Sequence, residues 1–190
     1  KIFMWLSPYL KIFERSKIYE EKLALHKRSQ TYDIILLGQH RIGFSIRRNL
    51  LKQKARLLVI DYNQSIIKDL IAKKITCIYG DVADPDILRE LKRHKPKIVI
   101  STIHLYEDNV LVTNIFKKMN KNITVITTAN TIRNALTLYN EGADYVIIPH
   151  ILGGERVSEM MRSHLSNKKK IAALRQQHVL SLLRAGVPQQ

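Results

Sequence analysis

The chain has 190 residues, long for one small domain and short for two full ones, so one core with appendages is expected. Hydrophobic residues make up 45%, too many for a disordered chain, and the single cysteine, Cys77, excludes a disulfide scaffold and a cysteine-built zinc site while fitting a reducing compartment. Lys+Arg number 32 against 16 Asp+Glu, a net charge of +16, and no apolar run reaches the about 18 residues that a membrane span needs.

The first thirty residues carry 7 basic and 3 acidic side chains, and residues 160–190 carry 6 basic and none acidic. The two ends are thus the most basic parts, which points to a polyanion or an anionic membrane surface near them, or to a solvated basic face. The chain begins with Lys1 rather than Met, the mark of a fragment or processed chain. Ile2-Phe3-Met4-Trp5-Leu6 and Ser7-Pro8 precede an amphipathic stretch from Tyr9 to Arg15. The basic residues follow the apolar run and no small-residue cleavage site appears, so this is not a secretory signal. Trp5 and Tyr9 beside lysine and arginine suit a membrane–water interface.

From Tyr32 to His150 strand-like runs alternate with helix-period segments. Asp33–Leu37 is a continuous apolar run ended by Gly38, the pattern of a strand buried on both faces. A helix is expected over 41–52. Arg56–Ile60 is a second strand ending at Asp61, followed by a helix marked by Ile66, Ile67, Leu70 and Ile71. Ile75–Tyr79 is a third strand. Asp84 caps the next helix, with Pro85 at its first position. Lys97–Ile100 is strand four, and Val110, Leu111, Asn114, Ile115 and Met119 lie on the helix after it. Ile123–Ile126 is strand five, a helix covers roughly 131–140, and Asp144–Ile148 is strand six. Six strands separated by five helices predict an α/β fold, a Rossmann-like doubly wound six-stranded parallel sheet in the order 3-2-1-4-5-6, with flanking helices at both ends. Beyond it, a helix is expected to open at Gly153-Gly154-Glu155, with Val157, Met160, Met161 and Leu165 on one stripe. Lys168–Lys170 interrupt it, and a last helix closes at Gly186-Val187-Pro188.

The first strand-to-helix turn reads Gly38-Gln39-His40-Arg41-Ile42-Gly43. A dinucleotide fingerprint asks for G-x-G-x-x-G here and an acidic residue about 20 positions on. Gly38 and Gly43 are in place, Asp61 ends strand two, and His40 stands where the middle glycine belongs. The helix start offers amides to phosphate, with Asp61 set to accept from ribose hydroxyls. The His40 ring occupies space that a pyrophosphate uses, unless His40 and Arg41 donate to phosphate themselves. The ends of the other strands complete the candidate cofactor site: Tyr62 beside Asp61, Asp81 and Val82, then Ser101, Thr102 and Ile103. Asp81 is placed either to meet an adenosine or simply to cap a helix.

Catalysis finds little support. The seven histidines show no metal spacing, there is no Gly-x-Ser-x-Gly elbow and no Gly-Lys-Ser/Thr loop, and no room remains for a substrate domain. No catalytic and no metal residue is assigned. A small NAD-dependent oxidoreductase is the enzymatic alternative, and nucleic-acid binding rests on net charge alone.

In order and spacing these residues resemble the RCK N-terminal (TrkA-N) domain, the regulatory domain of potassium channels and cation transporters. The resemblance covers roughly 32–155. It is carried by Gly38-x-x-Arg41-x-Gly43, Asp61, Gly80-Asp81, Ser101-Thr102 and the run Gly142-Ala143-Asp144-Tyr145-Val146-Ile147-Ile148-Pro149. That run with His150 and Gly153-Gly154-Glu155 is most similar to the version fused behind monovalent cation:proton antiporters. The head, Leu6-Ser7-Pro8-Tyr9-Leu10-Lys11-x-Phe13-Glu14, resembles the segment leaving the last membrane helix of such antiporters. The resemblance implies a membrane-proximal linker helix over 1–30, a Rossmann-like domain over 31–150 and crossover or dimerisation helices over 151–190. It implies a non-enzymatic domain at the cytoplasmic face of the cell membrane that binds AMP, ATP/ADP or NAD(H). Such a domain forms a homodimer through the helices after strands five and six and reports ligand state to a membrane transport domain, that of an antiporter or alternatively a potassium channel or Trk-type uptake system. Nucleic acid is not an implied partner. Two departures stand out: His40 at the middle glycine, and Thr128 where many relatives carry an arginine that reaches phosphate. Both favour adenosine recognition by Asp61 and Asp81 over pyrophosphate recognition.

Overall fold

The computed structural model describes residues 31–164 and 168–185. The expectations for the first thirty residues, for Leu165 and for Gly186–Pro188 lie outside them. The described residues fall into two units, the first ending at Ile148 and the second beginning at Pro149.

The first unit alternates strictly: β1 (Ile34–Leu37), α1 (Arg41–Lys52), β2 (Leu57–Asp61), α2 (Gln64–Ala72), β3 (Cys77–Tyr79), α3 (Pro85–Arg93), β4 (Ile98–Ser101), α4 (Tyr106–Met119), β5 (Thr124–Thr128), α5 (Ile132–Asn140) and β6 (Tyr145–Ile147). The six strands form one sheet in the order β3-β2-β1-β4-β5-β6, and every neighbouring pair is parallel. This is the predicted doubly wound topology, with its switch point between β1 and β4.

The uninterrupted apolar runs follow from burial on both faces. Ile35 and Leu37 pack with Leu88 and Leu91 of α3 and with Val112 and Phe116 of α4. Ile34 and Leu36 point the other way, into a cluster with Ile67 and Leu70 of α2 and with Ile46 and Leu50 of α1. A third cluster joins Ala135 and Leu138 of α5 to Tyr106 and Val110 of α4. Strands one, two and four begin one residue later than expected, because Asp33, Arg56 and Lys97 serve as a clasp. The Asp33 carboxylate accepts from Arg56 Nε at 2.6 Å and Nη2 at 2.9 Å and lies 3.2 Å from Lys97 Nζ, so it ties together the entries of the three central strands. At the far edge, the Tyr139 hydroxyl accepts the Val146 amide of β6 at 3.1 Å.

The second unit consists of α6 (Pro149–His164) and α7 (Lys168–Ala185). It corrects two expectations. The helix begins at Pro149, not at Gly153, because proline suits a first helical position, where its missing N–H is not needed. Gly153 and Gly154 lie inside that helix, with nothing near a notional Cβ of either. Lys168–Lys170 form the first turn of α7 rather than interrupting a helix.

Three helix exits share an unusual conformation. Lys54, Lys74 and Lys95, just after α1, α2 and α3, have φ of 56°, 55° and 47°. The residue at the same place after α5 is Gly142, with φ 103°. A side chain in this left-handed region costs about 1–2 kcal/mol, partly offset by the chain entropy that glycine loses on folding, about 0.5–1 kcal/mol. Lys54→Gly and Lys74→Gly are each expected to stabilise the fold by about 0.5–1 kcal/mol, a rise of roughly 1–4 °C in a calorimetric melt. A fall in either melt would contradict this.

The Asp33 clasp predicts a pH dependence. Hydrogen bonds from Arg56 and then Lys97 lower its carboxyl from 3.8 to about 2. A depressed carboxyl stabilises the fold above its unfolded value, and that stabilisation is lost as pH falls through the folded value. Urea midpoints taken between about pH 4 and about pH 2 should therefore fall more steeply for the wild type than for Asp33→Asn. Parallel curves would remove the clasp from the account.

Candidate functional site

Gly38 ends β1 with φ 82°, a conformation that glycine adopts without strain. The chain turns there and α1 starts so close that a Cβ on Gly43 would overlap the carbonyl oxygen of Gly38 and come within 2.8 Å of Thr102 Oγ1. Thr102, just past the end of β4, donates its hydroxyl to Gly38 O at 2.9 Å, with Leu37 O at 3.3 Å. The turn is thus clamped across the switch point by a neighbour from the other half of the sheet.

The N-terminus of α1 is open. His40 is its N-cap, extended at φ −74°, ψ 176°, and its side chain makes no capping hydrogen bond; the first turn holds no acidic residue. Three other helices are capped from within, α2 by Asn63, α3 by Asp84 and α5 by Thr131. The uncapped amides and the positive end of the helix dipole leave α1 suited to an anion. His40 and Arg41 are exposed beside it, Ile42 is half-buried and Gly43 is buried.

Asp61 is 7% exposed, and both its oxygens are engaged by backbone. Oδ2 accepts the Gln39 amide at 2.7 Å and Oδ1 the Asn63 amide at 2.8 Å. The carboxylate therefore holds the first turn against the end of β2, and each oxygen keeps a further lone pair for a hydroxyl. The buried Gln39 side chain leaves its Oε1 without a hydrogen-bond partner among the described residues. Tyr62, next to Asp61, is 73% exposed and offers a ring face.

The other candidates divide. Asp81 is exposed, and its Oδ1 accepts the Ala83 amide at 2.9 Å, the turn-capping role allowed by the sequence. Its charge reaches Asp108 at the start of α4, whose carboxyl is raised by burial first and then by Asp81 and Glu107. Val82 and Ser101 are buried whole, backbone included, so neither presents surface to a ligand in this conformation. Ile103 is half-buried, and its carbonyl accepts from Thr128 Oγ1 at 3.0 Å and from Asn109 Nδ2 at 2.9 Å. Direct contact thus unites Gly38, Gly43 and Thr102, and links Gln39 to Asp61.

Asn109 escaped the sequence reading. It is fully buried in the first turn of α4, and its Nδ2 faces the carbonyls of Ile103, Leu105 and Thr128 at 2.9, 3.2 and 3.0 Å. These three acceptors fix the orientation of the amide, since the flipped form would set oxygen against oxygen. Asn109 thereby pins the loop after β4 to the end of β5. A buried polar residue on the apolar face of a helix was the available signal. Among the described residues no group of three or more His, Cys, Asp or Glu gathers to hold a metal ion, and no helix is long and apolar enough to cross a membrane.

Known proteins are similar to this chain in sequence and fold. Potassium channel protein 1 of Methanocaldococcus jannaschii is 30% identical over 128 residues, 66% of this chain, and the alignment covers 38% of that relative. The crystal structure of the TrkA-N domain of the inner membrane protein YbaL from Escherichia coli superposes with a TM-score of 0.64 at 19% identity, covering 70% of this chain and 98% of that one. The Shewanella denitrificans Kef CTD in AMP-bound form superposes with a TM-score of 0.60 at 18% identity, covering 80% and 92%. At such identities these two structures speak for the fold. The family model of the TrkA-N domain matches residues 34–149, from the first residue of β1 to the first of α6, and on that match the chain belongs to the TrkA-N domain family.

Proposed function

We propose that this chain is a nucleotide-sensing regulatory domain of a potassium or other monovalent cation transporter, not an enzyme. The observation that carries the reading is the open N-terminus of α1, set at the switch point and bound through Gln39 to the Asp61 carboxylate. Phosphate belongs at the α1 amides, ribose at Asp61, and the adenine amino group on the acidic side towards Asp81. The relation to a Kef domain in AMP-bound form supports an adenine nucleotide, AMP, ATP/ADP or NAD(H). A ligand bound better in one arrangement of the assembly shifts the transporter by that difference in affinity.

The assembly we infer is a homodimer attached to a membrane transport domain, at the cytoplasmic face of the cell membrane, with an anionic lipid surface nearby and no nucleic acid. Ile132, Leu136 and Tyr139 of α5, spaced as one helical stripe, are 60%, 59% and 43% exposed, an apolar seam suited to a second copy. The transporter is read as a cation:proton antiporter from the run Gly142–Pro149 with Gly153-Gly154-Glu155. A potassium channel is the second reading, favoured by the Methanocaldococcus relative.

Calorimetry with AMP, ADP, ATP, NAD and NADH tests the sensing claim. AMP should give a saturable heat, and Asp61→Asn should weaken it by about tenfold, the loss of one charged hydrogen-bonding partner. No heat with any of the five at about 1 mM ligand would remove nucleotide sensing and leave a structural module. Restoring the middle glycine should change the preference: His40→Gly is expected to improve NAD binding relative to AMP by about fivefold, by opening the approach to the turn. Equal effects on both ligands would show that His40 does not obstruct a pyrophosphate.

A further inference from the structure

Lys54, Lys74 and Lys95 occupy the one backbone region where a side chain is a disadvantage. Gly142 fills the matching place after α5, so the geometry of these helix exits favours glycine. Compensation of the helix dipoles does not explain all three lysines, because Lys52 already stands in the last turn of α1, and Lys92 and Arg93 in that of α3. All three are exposed, and none has an ion pair among the described residues. They stand on the loops that enter β2, β3 and β4. The strand order β3-β2-β1-β4 sets those loops along one edge of the sheet, roughly 15 Å long at about 5 Å per strand. The carboxylate of Asp33 at this edge is engaged by Arg56 and Lys97, and so does not neutralise them.

The opposite edge gathers more carboxylates, beside the exposed Arg41 and Arg133. Asp81, Asp84, Asp86 and Glu107 are exposed on the side of the candidate crevice. Along β3-β2-β1-β4 the entry loops thus carry lysines and the exit loops carboxylates, while Glu141 and Asp144 stand at the entry of β6, beyond that stretch. Residues 1–30, which precede β1 in the sequence, carry a net charge of +4 and include Trp5 and Tyr9.

We propose that this lysine rim is a docking surface for anionic lipid headgroups, which seats the entry edge of the sheet on the membrane and turns the nucleotide crevice towards water. Lysine supplies diffuse point charge, which suits a fluid headgroup layer, whereas strand recognition in a nucleic acid calls on arginine forks and stacking aromatics. The arginine at this rim, Arg56, is already held by Asp33. The inference rests on the reading that the domain works beside a membrane.

The test is co-sedimentation of this chain with vesicles of phosphatidylcholine containing about 30% phosphatidylserine, against pure phosphatidylcholine. Binding should require the anionic lipid and weaken with salt. The triple variant Lys54→Gly/Lys74→Gly/Lys95→Gly should lose about tenfold or more in affinity, while a charge-matched control, Lys68→Gln/Arg133→Gln/Arg162→Gln, should lose less than about threefold. The glycine substitutions relieve backbone strain, so a loss of folding is not expected to obscure the result, and a melt of each variant checks this. Equal losses in rim variant and control reduce the effect to net charge and overturn the proposal. So does the absence of vesicle binding, or rim-dependent binding to a single-stranded oligonucleotide but not to vesicles. Heat from AMP in the rim variant reports on nucleotide sensing separately, so either idea can fail alone.

Discussion

Gly43 of α1 lies against the carbonyl of Gly38 with no room for a methyl group, and Thr102 brackets both. This contact fixes where the first helix starts, and therefore where its free amides point. It also joins the two halves of the sheet at the only place where the strand order reverses. Asp61 completes the arrangement by taking the Gln39 amide, so the end of β2 and the turn after β1 hold a common geometry. The candidate site is made of backbone placed by glycine, threonine and aspartate, and its side chains mostly position rather than contact. Histidine in the middle of the turn is consistent with that economy: His40 is exposed and takes no part in the clamp.

Charge is sorted in part along the central strands. Helices α1, α2 and α3 end in cations at one edge of the sheet, and the loops at the other edge gather carboxylates, one of which, Asp108, is raised by burial and by its neighbours. A phosphate at this acidic edge has a favourable place at the α1 N-terminus. An amino group has one near Asp81. On the proposed reading, that division suits a ligand with a negative end and a hydrogen-bond-donating end, which is the plain chemistry of an adenine nucleotide.

The fold was legible because parallel strands covered on both sides are written as unbroken apolar runs, and because Asp84-Pro85 and Gly142 punctuate the helices between them. The turn was legible because Gly38, Gly43 and Asp61 keep a spacing that backbone geometry requires. Other features left weaker traces. Asn109 works through carbonyls 19 residues and less away, and a polar residue in an apolar helix face does not name its partners. The left-handed conformation of Lys54, Lys74 and Lys95 runs against residue preference, so sequence alone argued the other way. Pro149 was read as the end of a strand when it is equally the start of a helix, and two glycines inside α6 disguised the helix that contains them.

The bond from the Val146 amide to the Tyr139 hydroxyl has a wider meaning. β6 is a terminal strand, and an outward amide on such a strand is an invitation to a further strand from another chain. With that donor spent internally, this border offers one amide fewer to a strand from another chain, which makes edge-to-edge pairing there less favourable.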